Sequence, residues 1–253
     1  MSSPIWTPAG LPSELRPYER HVWRLVEGQH RVSTMKLVDS LDEQNVLENL
    51  IEATKPAIPP ECRGLDYLLF SPFRYPPLPN GSRFRRPGQP GVFYAAEESR
   101  TAAAEKAFYQ LLFFAESPDT PWPVNPVEHT GFSVGVHSPR ALDLTVPPLA
   151  ADAASWRDPV EYGPCQDLAA AAREAQAQIL RYASARNPDG VCVAVFTCAA
   201  FAETAPKNNR ETWWIGARQS GAYAIREFPI AAVQFDRNAF AADPRIAKMR
   251  WER

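Results

Sequence analysis

Hydrophobic and polar positions along the chain fall into helical and strand periods in a mixed order. "HVWRLVEGQ" (21–29) reads as a short strand. "SLDEQNVLENLIEAT" (40–54) predicts the first helix, with Leu47, Leu50, Ile51 and Thr54 on one face. Ser40 and Glu43 form a capping box at its start, and Pro56 prevents it from going further. Residues 56–90 are rich in proline and read as loop. "GVFYA" is a short strand, and "ESRTAAAEKAFYQLLFFAE" (98–116) a second helix with Ser99 as the expected N-cap. Its near-continuous Ala, Phe and Leu content predicts cover on most faces. "GFSVGVHS" alternates Phe132, Val134 and Val136 as a half-buried strand, and "RALDLT" reads as another. "CQDLAAAAREAQAQILRYA" (165–183) predicts a third helix, and "DGVCVAVFTCAAF" a buried strand. "TWWIGARQSGAYAIREF" reads as two strands joined at Gln219–Gly221, and "AAVQFD" closes the sheet.

Helices and strands therefore alternate without βαβ regularity, which favours an α+β fold. No repeat or linker stands out, so residues 1–253 are expected to form one domain. Within it, residues 1–20 read as an N-terminal arm and 200–253 as C-terminal strands.

Composition narrows the function classes. At 253 residues and 45% apolar content the chain can bury a sizeable core. A net charge of -2 gives no long-range attraction to nucleic acid or an anionic membrane. No apolar run is long enough to span a bilayer and the first 20 residues lack a secretory pattern, so a cytoplasmic location is expected. Cys62, Cys165, Cys192 and Cys198 form no C-x-x-C pair and are expected as buried free thiols. His21, His30, His129 and His137 are equally scattered, so no metal site is expected. Neither common nucleotide-binding glycine loop occurs. Trp213 and Trp214 read as core or interface aromatics.

The unusual position is Glu105. It lies among Ala102, Ala103, Ala104, Ala107 and Phe108, and shares a helical face with Thr101 and Tyr109. Burying a carboxylate there is costly without a partner. Tyr94 ends the preceding strand, and Arg83, Arg85 and Arg86 lie in the loop before it. Loop, strand and helix in succession can bring Arg, Tyr and Glu to one cleft. Arg suits phosphate and Tyr suits stacking. A carboxylate can stabilise positive charge developing on a ribose carbon.

These residues carry a resemblance. "GSRFRRPG", then "VFYAA", then Glu105 eleven residues after Tyr94, resemble the successive motifs of the RES domain family. "YASARNPDGVCVAVF" is similar to a later block of that family and supplies Ser184 and Arg186; "VWRLVEGQH" resembles its first strand, with Arg24 at its first arginine. The resemblance spans about residues 21–200. It implies an ADP-ribosyltransferase-like mixed sheet with flanking helices, and an enzyme that consumes NAD by glycohydrolysis, phosphorolysis or ADP-ribosyl transfer. It also implies a toxin neutralised by a helix-turn-helix antitoxin. On this basis Arg24 and Arg83 would hold the phosphates or ribose and Tyr94 would face the nicotinamide. Glu105 would stabilise the transition state, and Ser184 would fix a ribose or nicotinamide group. Arg24 and Arg83 are 59 residues apart, so residues 33–82 read as a helical and Pro-rich insertion, and Arg74 within it competes for the phosphate pocket. Arg85 stands where the family has asparagine, and Tyr109 where some members have histidine. These two departures favour the alternative of a non-catalytic protein-binding module on the same scaffold.

Overall fold

The structure, a computed structural model, describes residues 6–28, 37–75, 81–206 and 209–253. His30, residues 1–5 of the expected arm, and residues 33–36 and 76–80 of the expected insertion lie outside them.

One eight-stranded mixed sheet organises the molecule. Its strands are β1 (Arg16–Glu27), β2 (Phe93–Ala96), β3 (Val127–Asp143), β4 (Ile179–Ala183), β5 (Val191–Val195), β6 (Arg210–Arg218), β7 (Gly221–Arg226) and β8 (Ala231–Asp236). They run in the order β1-β2-β5-β4-β3-β6-β7-β8, and a further β1–β3 pairing closes the first five into a ring. Among the described residues only β3 and β4 pair in parallel. The fold is α+β, as the mixed pattern predicts.

β1 and β3 pair antiparallel along nearly their whole length, from Arg16↔Ala141 to Glu27↔His129. β1 and β2 share one register pair, Trp23↔Ala96. Where these two strands part, the ring opens a gap. β1 begins at Arg16, inside the segment expected as an arm, and Leu11 just before it is fully buried.

The helices are α1 (Leu41–Thr54), α2 (Tyr67–Arg74), α3 (Ser99–Glu116), α4 (Ala153–Arg157), α5 (Gly163–Glu174) and α6 (Pro244–Ala247). In α3, Ala103, Ala104 and Ala107 are buried together with Phe108 and Leu111. Small side chains let this helix lie close to the sheet, in contact with β1, β6 and β7. Its N-cap is Glu98, not Ser99; Ser99 is the first helical residue and is itself buried. The Ser40 cap of α1 forms as expected, accepting from Glu43 N. Glu43 reaches back to Asp39 N rather than to the cap residue. Leu47 and Ile51 are half-buried, while Leu50 on the expected apolar face is exposed.

Other expectations fail. The loop expected over 56–90 contains α2, capped by Asp66, whose side chain accepts from Leu68 N. The two strands expected over 131–145 are one, β3. The helix expected over 165–183 ends at Glu174; Gln176 takes a left-handed φ of 57°, and Ile179–Ala183 become β4. Cys62 and Cys198 form a disulfide, so only Cys165 and Cys192 are the buried free thiols expected of all four. Cys62 precedes α2 and Cys198 follows β5, and both pack with Phe70 in one small cluster. Trp213 is core, as expected, and its ring N–H donates to Glu211 at 2.8 Å. Among the described residues no helix is long and apolar enough to cross a membrane.

Candidate active site

A pocket of about 300 Å³ lies where β1 and β2 part, floored by β2 and walled by the first half of α3. It brings together four of the side chains singled out in the sequence: Arg24, Arg83, Tyr94 and Glu105. Trp23, Lys106, Tyr109, Tyr162, Tyr182 and Arg186 also line it.

Glu105 answers the question its surroundings raise. It is half-buried, and its Oε1 accepts a hydrogen bond from Ser184 Oγ at 2.6 Å. Cys192 Sγ lies 3.7 Å from the same oxygen. Burial, reinforced by Glu105, pushes this thiol well above its ordinary range, so it stays protonated and donates. Ser184 follows β4 directly, and its Oγ accepts from the backbone N–H groups of Arg186 (3.1 Å) and Asn187 (3.0 Å). A hydroxyl has one proton, so with two donors pointing at its oxygen that proton goes to Glu105. The β4–β5 turn is pressed onto α3 to make this possible. Asn187 Nδ2 donates to Thr101 Oγ1 at 3.0 Å, and a Cβ at Gly190 would sit 2.6 Å from the Thr101 side chain. Thr101 and Glu105, one turn apart, thus both engage the turn.

The resemblance implies that Ser184 fixes a ribose or nicotinamide group; in the structure it does not line the pocket. It is fully buried and its only proton is committed to Glu105, so it positions the carboxylate. Glu105 Oε2 accepts no hydrogen bond from the described residues and remains available to a ligand.

The arginine turn is held by Tyr94. Ser82 N donates to Arg85 O (2.7 Å) and Arg85 N to Ser82 O (3.1 Å), closing a tight turn. Gly81 has φ +62°, and a Cβ there would lie 2.4 Å from Arg85 O, so the turn requires glycine. The Tyr94 hydroxyl accepts from Phe84 N at 3.0 Å and pairs with Ser82 Oγ at 2.8 Å. Phe84 is fully buried against Tyr182, with ring centroids 4.8 Å apart. The phenol of Tyr94 is thus a strut under the turn, while its ring remains part of the pocket wall.

Arg83 stacks over the Tyr162 ring at 4.6 Å and donates through Nη1 to Trp156 O at 2.9 Å. Burial disfavours its charge, but the fields of Tyr162, Tyr182, Cys165 and Glu105 outweigh that and raise it. Arg24 crosses the gap in the ring: its Nη1 donates to Tyr94 O at 2.8 Å, and its guanidinium lies 4.9 Å from the Phe93 ring. Burial pushes it down to about 10, so it is still charged at neutral pH. Its buried Nε has no partner.

Arg74 does not reach the pocket. At the end of α2 it is ion-paired with Glu52 at 2.6 Å and donates to Pro56 O at 2.6 Å, bracing the base of α1. Arg86 is ion-paired with Asp167, and Arg85 does not line the pocket.

Several pocket residues escape sequence reasoning. Lys106 is a lone cation after Glu105 on a helix whose sequence predicts cover on most faces. Tyr162 sits in an irregular loop with no signal. Tyr182 falls in the stretch read as helix. Arg186 belongs to the matched Ser184 block but has no role assigned by it. It is buried, stacks 3.3 Å from the Phe108 ring, donates to Pro159 O at 3.0 Å and pairs with fully buried Asp243 at 3.6 Å. Asp243 caps α6, so the C-terminal segment supports the pocket from beneath.

The RES domain model matches residues 58–215, more than half of the chain, and the chain belongs to the RES domain family. The match contains Arg83, Tyr94, Glu105 and Ser184; Arg24 precedes it. Among solved structures, a chain in the crystal structure of the M. tuberculosis MbcT–MbcA toxin–antitoxin complex is similar at 13% identity and a TM-score of 0.46, over 79% of this chain and 90% of that one. No curated protein matches the sequence.

Proposed function

We propose that this protein binds NAD and cleaves the bond between nicotinamide and ribose, acting as a toxin neutralised by a helix-turn-helix antitoxin. The observation that carries the enzymatic reading is the Glu105 carboxylate, fixed by Ser184 on one oxygen and open on the other, in a pocket whose lining includes four cations and five aromatic rings. The antitoxin and the toxic effect are carried over from family resemblance alone.

The nicotinamide nitrogen of NAD is cationic. As the glycosidic bond breaks, nicotinamide leaves with the bonding electron pair and becomes neutral, and positive charge moves to the ribose carbon. Glu105 Oε2 is the anionic group available to stabilise that charge. Because its partner oxygen is already held, the carboxylate does not have to reorient as charge develops. Tyr94, Tyr162 and Tyr182 supply flat surfaces for the ring and ribose. A volume of about 300 Å³ is at the small end for ligand sites, which suits the nicotinamide riboside half and leaves the adenosine half outside. Water, phosphate or a protein side chain can then capture the ribosyl cation.

The test is to incubate the purified protein with NAD and quantify free nicotinamide. The wild type releases it, and Glu105→Gln, which keeps the shape and loses the charge, retains less than about a hundredth of the rate. Equal rates in the two proteins would end this reading.

A further inference from the structure

Residues 237–253 lie beyond the matched family region, yet they pack against α3, which walls the pocket. Phe240 meets Phe108 with ring centroids 5.7 Å apart. At the end of the helix, Arg253 donates to Phe114 O at 2.7 Å and to Ser117 O at 2.9 Å. Between these two anchors in the chain stands Asp243, fully buried. Its Oδ1 accepts from Arg245 N at 3.0 Å and so caps α6. Its Oδ2 lies 2.7 Å from Arg245 Nη2 and 3.6 Å from Nη2 of Arg186, whose side chain is only 3% exposed. The capping role accounts for Arg245. It does not account for Arg186, which comes from the β4–β5 turn and lines the pocket.

The Arg186 guanidinium is fixed on three sides, by the Phe108 ring at 3.3 Å, by Pro159 O at 3.0 Å and by Asp243. Of these contacts Asp243 is the one of opposite charge. A buried guanidinium needs such a counter-charge, and removing one partner of a buried pair leaves the other uncompensated. The backbone N–H of Arg186, with that of Asn187, donates to Ser184 Oγ, and the Ser184 proton goes to Glu105 Oε1. Without Asp243, the Arg186 side chain is better solvated away from its buried position, and the backbone N–H it carries shifts with it. Asn187 still holds Thr101, so the turn loosens rather than unfolds. Resting on the NAD reading above, we infer that Asp243 is a positioning residue for the proposed cleavage: it fixes Arg186, Arg186 fixes the turn that orients the Ser184 hydroxyl, and Ser184 holds the Glu105 carboxylate. The C-terminal segment is then a working part of the site.

Asp243→Asn keeps the shape and the α6 cap and removes the charge; thermal melting checks that it folds. In nicotinamide release from NAD, kcat should fall at least about tenfold with KM within about threefold of wild type, as for a weakened hydrogen bond to a charged group. In a Ser184→Ala background the same substitution should cost less than about threefold, because the step it acts through is already gone. Arg245→Met removes the other cation on Asp243, leaves Arg186 in place and should keep kcat within about threefold. Amide hydrogen exchange followed by NMR reads the positioning without any turnover. In Asp243→Asn the amides of positions 186 and 187 should exchange at least about tenfold faster while those of the β1–β3 ladder do not change. If Asp243→Asn does not fold, Arg186→Met breaks the same pair from the other side, with Asp243 still held by Arg245, and the same exchange pattern is expected. Faster exchange at 186 and 187 in a protein whose wild type releases no nicotinamide would end the NAD reading and leave the Asp243–Arg186–Ser184 link standing. Unchanged exchange at both amides would overturn the inference, as would an equal rise across the β1–β3 ladder. So would a raised KM at unchanged kcat, full additivity with Ser184→Ala, or an equal loss of kcat in Arg245→Met.

Discussion

Ser184→Ala separates a residue that positions the carboxylate from one that touches substrate. The substitution deletes a 2.6 Å hydrogen bond to Glu105 and withdraws the acceptor of two backbone N–H groups, those of Arg186 and Asn187. A hydrogen bond to a charged group contributes about 1.5–3 kcal/mol, which corresponds to roughly 10- to 150-fold in rate if the carboxylate must be held in place during bond cleavage. The loss should appear in kcat for nicotinamide release from NAD, with KM little changed, because Ser184 is fully buried and cannot reach a ligand. The two N–H groups left without an acceptor should also lower stability by about 1–3 kcal/mol. Initial rates over a range of NAD concentrations measure the first effect, and urea denaturation the second. A rise in KM at unchanged kcat would refute the assignment, since it would mean that the hydroxyl contacts substrate after all.

Two further outcomes concern what holds the frame around the site. The Cys62–Cys198 disulfide closes a span of 136 residues, so Cys62→Ser with Cys198→Ser should lose up to about 5 kcal/mol of stability by loop closure, measured as a lower urea midpoint; an unchanged midpoint would show that the bridge constrains nothing. Glu97 joins several strands, accepting from Tyr18 (3.0 Å) and from Arg181 (2.8 Å), which also pairs with Asp143 (3.0 Å). Burial raises Glu97, but Arg181 and Tyr18 outweigh it and hold the carboxyl below its ordinary value. A depressed carboxylate stabilises the fold above its unfolded pKa and loses that contribution as pH falls through the folded one. Stability should therefore fall as pH drops below about 4, and Glu97→Gln should flatten that slope, as read from denaturation midpoints across pH; an equally steep slope in the variant would assign the loss to other groups.

The parts of this fold legible in the sequence are those governed by local rules. Ser40 caps α1 because a short polar side chain before a helix satisfies an orphan N–H wherever the rest of the chain goes. The β6–β7 hairpin closes at Gln219–Ser220, with Arg218 paired to Gly221, because a turn signal separates two runs of strand formers. The eleven residues from Tyr94 to Glu105 carry a strand into a helix, and that short connection alone brings the two side chains to one pocket. What was not legible depends on distant partners. Ile179–Ala183 read as the end of a helix because the alanines before them set a helical register, yet pairing with β3 and β5 makes them a strand. Pro72 hid α2, and nothing local pairs Cys62 with Cys198 across 136 residues. Arg74 and Lys106 show the same limit from opposite sides. Each is a single cation on a helix, and only packing sends one to Glu52 and the other into the pocket.

The convergence of these side chains has a mechanical basis in the strand ring. β1 is pinned to β3 along almost its full length but meets β2 at one register pair, so the gap beyond Trp23↔Ala96 is enforced by topology rather than by the groups that fill it. Arg24 bridges that gap to Tyr94 O, replacing a hydrogen bond that the ladder would otherwise make. Tyr94 in turn carries the arginine turn on its hydroxyl. On the opposite wall, α3 is fixed to the sheet by alanines and to the β4–β5 turn by Thr101 and Glu105. Two rigid walls therefore face one another. The charged groups facing the space between them, Oε2 of Glu105 and the cations of Lys106 on α3 and of Arg24 on β1, are of opposite sign. On the function proposed above, the positive nicotinamide end of NAD would meet the Glu105 carboxylate, and its pyrophosphate would meet cations of the same pocket.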